Sequence, residues 1–288
     1  MVSFPSTASG SITAVPSPIR QAQRLPPLFR ATEHLKQAHP GFVPSWGRVS
    51  RGFDTHAGQR VWQAEQILKN FGQWPPREDE LYVIQIDQDS PSPPGQAPRD
   101  FGRPDFAKRQ RTWLEAQLQL QAFVTQYTGQ TTLFRARKVQ GQIELFELNP
   151  AGPLRSSAHP GQLDPAGQAS CTGGVCGMAW PRIGVVPFKA KGGGGVFNPI
   201  DDTLVKVARD INFDGGIDEE ESRLSAASHG LAVQIHPGFP GSPRSVGCQT
   251  LPPDHFAVLR KIIEDSGVDK FQYILVKRPN ERSGARPW

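Results

Sequence analysis

Glycine and proline interrupt this chain so often that long uninterrupted elements fit in only a few windows. Its 288 residues hold 29 glycines and 28 prolines, against 37% hydrophobic residues. Proline removes a backbone donor and glycine weakens regular structure, so this density predicts short strands, many turns and long loops. The chain is still long enough to bury a sizeable core. Together these point to an α+β chain: an extended or disordered basic arm over 1–50, a helical region over 51–130 and a mainly β domain over 131–288.

Two windows carry helical periodicity. In "HAGQRVWQAEQILKNF" (56–71), Val61, Ala64, Leu68 and Phe71 share one face, with Trp62 and Ile67 beside it, and Pro75 and Pro76 follow. Pro104 opens the longest helix, to Tyr127, where Phe106, Trp113, Leu120 and Tyr127 recur every seven residues, flanked by Leu114 and Val124. Such a stripe predicts a face buried against core. Strands are expected at "ELYVIQID" (80–87), "IGVVPFKA", "DTLVKVARD", "LAVQIH" and "FQYILVKR", with a hairpin about Gln140-Gly141. "DEEESRLSAAS" and "PPDHFAVLRKIIEDS" read as helices, and 150–180 as loop-rich. The glycines of "KGGGGVFNPI" lack the spacing and the Lys-Ser/Thr of a phosphate cradle.

The net charge of +5 comes from the first 70 residues, which hold eight Lys/Arg and three Asp/Glu. A basic arm can touch an acidic polymer, but no aromatic–basic interleaving marks specific nucleic-acid readout, and the plain reading is a solvated tail. No apolar stretch approaches the ~20 residues of a membrane span. The first residues lack the charged-then-apolar layout of a secretory leader, so delivery to a cell envelope would take a non-classical route. Of three cysteines, Cys171 and Cys176 are too far apart for a CxxC motif and are placed to close a local disulfide in an exported protein.

"DINFDGGIDEEE" (210–221) has the spacing of a calcium loop. Asp210, Asn212 and Asp214 supply oxygens at positions 1, 3 and 5, and Gly215 makes the turn. The Gly216 carbonyl serves at 7, Asp218 holds a water at 9, and Glu221 is the bidentate twelfth ligand. The segment resembles the EF-hand loop and its relatives in bacterial calcium repeats. Because "TLVKVAR" before it reads as strand, the expected role is a structural staple rather than a sensor. A metal-free Asx-rich turn is the other reading.

The third cysteine, Cys248, sits in "PRSVGCQTLPP" (243–253), on a glycine-preceded turn. A thiol becomes a nucleophile when an imidazole, partial exposure and amide donors accompany it. His236 in "IHPG" ends a strand-like run twelve residues earlier, so a hairpin-like return can bring the two together. The plain alternative is a small packed residue. His236, His255 and Cys248 could also make three zinc ligands, without a fourth. His229 and His255 fit as ordinary helix-terminus histidines.

His-x-Gly, a loop, Ser-x-Gly-Cys, a helix and a last strand resemble the catalytic segment of the L,D-transpeptidase (YkuD-type) family, over roughly 180–280. "PRIGVVPF" lies about where that family has its Pro-x-Gly strand. The resemblance implies a mainly β catalytic domain acting on peptidoglycan stem peptides. Cys248 would be the nucleophile and His236 the base, with Ser245 and Gly247 as motif residues and Gly238 as the glycine after the strand. The family usually has His where this chain has Val246, and an apolar residue then Arg or Asn where it has Gln249 and Thr250. The expected activity is therefore acyl transfer or hydrolysis on stem peptides. The alternative is a catalytically inactive, calcium-stabilised module that binds cell wall or protein.

Overall fold

The computed structural model describes residues 49–89, 99, 101–160, 170–191, 195–211, 217, 219–230, 233–245 and 247–278. Most of the expected arm, the tetraglycine run and the middle of the calcium loop lie outside them.

Four helices and eleven strands are described. They are α1 (Ala57–Asn70), β1 (Leu81–Gln88), α2 (Phe106–Val124), β2 (Gly129–Val139), β3 (Gln142–Glu147), β4 (Leu154–Ser156), β5 (Ser170–Thr172) and β6 (Val175–Pro181). There follow β7 (Gly184–Lys189), β8 (Val207–Asp210), α3 (Glu219–Leu224), β9 (Ile235–Pro237), β10 (Gln249–Leu251), α4 (Pro253–Ser266) and β11 (Lys270–Arg278). The expected α+β class is what the chain forms.

The main sheet runs β3-β2-β1-β11-β7, with β4 paired to β2. All pairs are antiparallel except β1 with β11. Strand β1 lies at its centre and is buried on both faces, as its near-continuous apolar run requires. Residues 81–88 of the expected helical region thus belong to the same sheet as the C-terminal strand. Strand pairing there joins residues about 190 positions apart.

Side-chain alternation divides the core. Tyr82, Ile84 and Ile86 face α1 through Val61, Ala64, Ile67 and Leu68. Leu81 and Val83 face the opposite way, towards Phe256, Leu259 and Ile263 of α4. The β2–β3 hairpin turns on Gln140 and Gly141, both with positive φ, as a two-residue type I′ turn demands.

Helix α2 departs from expectation. Only its last turns are buried, where Leu120, Phe123 and Val124 cover Trp180 and Ala208. Leu114 and Leu118 are 48% and 66% exposed. The heptad stripe is real in sequence, but the small antiparallel sheet β5-β6-β8 reaches only the C-terminal end of the helix.

Inside 150–180, read as loop-rich, β5 and β6 form a hairpin closed by a Cys171–Cys176 disulfide. Strand β9 is shorter than "LAVQIH", and a 3-10 turn over Asp202–Leu204 precedes β8. No described helix is long and apolar enough to cross a membrane.

Candidate active site

His236 and Cys248 meet because β9 and β10 pair in parallel, with Thr250 opposite His236 and Gln249 opposite Ile235. The return is therefore a parallel ladder closed by a loop, not a hairpin. Alternation sends His236 and Thr250 to one face, and Cys248, just before β10, shares it. The imidazole and the thiol are hydrogen-bonded. Both residues are half-buried.

The histidine ring is oriented by its own backbone. Nδ1 lies 2.8 Å from Pro237 O. A carbonyl only accepts, so Nδ1 carries a proton and Nε2 is turned towards the sulfur. On the other side, the Gln234 amide donates to Cys248 Sγ at 3.4 Å.

Burial opposes ionisation of the thiol. The hydrogen bond from His236, the Gln234 amide, the imidazolium charge and the Ser245 hydroxyl outweigh it, so the thiol pKa falls below its ordinary value. The hydrogen bond to Cys248 raises the His236 pKa, burial lowers it, and the contact with Pro237 O and the thiolate charge favour the cation; the net direction is upward. Both shifts favour a thiolate–imidazolium pair.

Ser245 shapes the turn. Its buried Oγ accepts from Gly247 N at 3.1 Å and Cys248 N at 2.6 Å, and it donates to Cys248 O at 3.1 Å. It positions the Cys248 thiol and is too occupied to serve as a base. Gly247 has φ 118°, and a Cβ there would fall onto Ala179 O. Only glycine lets the turn pass that carbonyl. A Cβ on Gly238 would likewise strike the Tyr127 hydroxyl, which donates to Phe239 O at 2.7 Å and holds the loop joining histidine to cysteine.

Sequence reasoning missed the backing of this pair. Thr250 exchanges two 2.8 Å backbone hydrogen bonds with Ser157. Beside Ser157, Ala158 N donates to Asp87 Oδ2 at 2.6 Å. Asp87 is fully buried at the end of β1, where Thr128 donates to Oδ1 and Lys277 lies 3.6 Å from Oδ2. The central strand thereby anchors the β9–β10 ladder. No local motif announces the partners of Asp87, which lie 41 to 190 residues away in sequence.

The other candidates lie apart from this pair. His255 Nδ1 accepts from Arg155 N at 2.6 Å, and His229 O accepts from Thr172 Oγ1 and from Arg209. Among the described residues, no three His, Cys, Asp or Glu side chains group to hold a metal, zinc included. Of the calcium loop, Asp210 ends β8 and Glu221 lies in α3, both buried, and Glu221 Oε1 accepts from Ile211 N at 2.8 Å. Asn212, Asp214, Gly216 and Asp218 lie outside the described residues. A strand leads into the loop and a six-residue helix follows it.

Compared with family models, curated proteins and solved structures, the chain matches none.

Proposed function

We propose that the chain is a cysteine-dependent enzyme of the L,D-transpeptidase or L,D-carboxypeptidase kind, acting on peptidoglycan stem peptides. One observation carries the reading: a half-buried thiol hydrogen-bonded to an imidazole whose far nitrogen is fixed by a carbonyl. This is the geometry of an activated nucleophile and its base. The substrate class comes from the resemblance of the His-x-Gly and Ser-x-Gly-Cys segments.

In this mechanism the Cys248 thiolate attacks the donor carbonyl carbon while His236 holds the thiol's proton. Collapse of the tetrahedral adduct forms a thioester and expels the amine, which takes that proton from His236. An acceptor amine or water then attacks the thioester, gives its proton to His236 and restores the thiolate. The Cys171–Cys176 disulfide fits an oxidising compartment such as the cell envelope.

Calcium is proposed as a structural staple, with Asp210 and Glu221 as its two described carboxylate ligands. Calorimetry on chelated protein should register calcium binding at or below millimolar concentration; absence of heat would remove the site. The staple should also matter to the thiol, since α3 and a short segment separate the loop from β9. EDTA should lower both the melting temperature and Cys248 alkylation.

The deciding experiment follows Cys248 alkylation against pH by mass spectrometry, in wild type and His236→Ala. Rapid labelling with a thiol pKa below the reference of about 8.5, lost with the imidazole, supports the enzyme. Labelling only on unfolding would leave a packed cysteine and a binding module.

A further inference from the structure

Acyl transfer at a thiol needs a hydrogen-bond donor for the oxygen that becomes negative as the sulfur attacks. The amides at and beside Cys248 are already committed. Gly247 N and Cys248 N both donate to Ser245 Oγ, and Gln249 N donates to Gln234 O. The Gln234 amide is spent on the sulfur itself. The geometry therefore calls for a side chain.

The strand register places one beside the thiol. Phe197 and Ile235 exchange two backbone hydrogen bonds of 2.9 Å, an antiparallel pair that sets a third extended segment against β9. That register puts Asn198 opposite Gln234, and the register of β9 with β10 puts Gln234 opposite Cys248. Burial alternates to match: Phe197, Val233 and Ile235 are core, whereas Asn198, Gln234 and His236 are half-buried. Asn198, Gln234 and Cys248 thus form one row across a single face, with His236 in the next row. Neighbouring strands lie about 4.8 Å apart, so the Gln234 side chain starts one strand from the sulfur, near the oxygen of a carbonyl under attack there. Gln234 Nε2 donates to Asn198 Oδ1 at 2.7 Å. That bond holds the carboxamide and leaves its second N–H uncommitted among the described residues.

We propose that Gln234 is the oxyanion donor of this site and that Asn198 is the residue positioning it. The inference rests on the reading of Cys248 as an acylated nucleophile. As the thiolate forms a C–S bond to the carbonyl carbon, the C=O electron pair moves onto oxygen, and the second Nε2–H of Gln234 bonds that oxygen. The pair then returns and the bond to the leaving group breaks. An amine leaves with the proton held on His236; a nitrophenolate leaves without one.

The test compares two reactions of Cys248 in the full chain, each followed by mass spectrometry. Acetylation by p-nitrophenyl acetate passes through an oxyanion; alkylation by iodoacetamide does not. Gln234→Met, checked for cooperative unfolding, should slow acetylation relative to alkylation at least about tenfold, since one such donor is worth about 10²–10³ in rate. Asn198→Leu should lower the same ratio by a smaller factor, because the carboxamide remains but is no longer held. If Gln234→Met fails to fold, Asn198→Leu decides. An unchanged ratio, or both reactions slowed in equal proportion, overturns the proposal and leaves the thiol reading intact. Rapid alkylation of wild type without acetylation also overturns it. Wild-type Cys248 inert to both reagents removes the nucleophile reading, and this donor with it.

Discussion

At the scale of single residues, the site rests on one hydroxyl and one glycine as much as on the His236–Cys248 pair. Ser245→Ala removes all three hydrogen bonds that shape the turn. It should cost about 1–3 kcal/mol in denaturant unfolding, since two buried amides lose their acceptor. It should also raise the Cys248 pKa, because the hydroxyl is one of the groups lowering it. Gly247→Ala strains a left-handed position against Ala179 O and should cost at least about 1–3 kcal/mol. The pH dependence has two opposite parts. Stability from the lowered Cys248 pKa is present above the unfolded thiol value and lost as pH falls through the folded one. Stability from the raised His236 pKa is complete below about 6.5 and lost as pH rises through the folded value. In His236→Ala the histidine part should vanish from a pH series of unfolding curves, and the stabilisation from the lowered Cys248 pKa should shrink or reverse, since burial then opposes only the Gln234 amide and the Ser245 hydroxyl. A fully retained pH profile would mean that the pair does not form.

At the scale of elements, the loop between β9 and β10 depends on a residue from beyond the end of α2. Tyr127→Phe deletes the donor to Phe239 O and should cost about 1 kcal/mol. Amide exchange over 238–245 should quicken, with α4 unaffected as the control. The β5–β6 hairpin depends on its disulfide. Closing so short a loop is worth about 2 kcal/mol of unfolded-state entropy, so reduction should lower the unfolding midpoint accordingly. Among the elements, α1 and α4 are legible in sequence because their apolar residues keep a 3.6 period over fourteen residues. Strand β10 is not, since its three residues take their conformation from pairing with β9 rather than from local preference.

At the scale of the molecule, a buried charge pair clamps α1 to the end of β3. Arg60 Nε donates to Glu147 Oε1 at 2.7 Å, with both side chains essentially out of contact with water. Arg60→Met strands a buried carboxylate and should destabilise by about 3–5 kcal/mol, read by chemical denaturation. The double variant Arg60→Met/Glu147→Leu should regain most of that loss. Failure to recover would mean that the guanidinium's bonds to Asp54 O and Pro150 O carry the clamp instead.

By itself the sequence determined the α+β class, the long helices, the hairpin at Gln140-Gly141 and the three residues that define the turn at Cys248. Each is written in local periodicity, in positions that need positive φ, or in short spacing. Tertiary structure decided that β1 lies beside β11, that β9 and β10 pair in parallel, and that α2 buries only its end. It also placed Asp87, Ser157 and Thr250 behind the thiol. Those are pairings across tens to hundreds of residues, and their registers are chosen by which faces can be buried together. Cys248 and His236 were visible as candidates; only the parallel ladder makes them a pair.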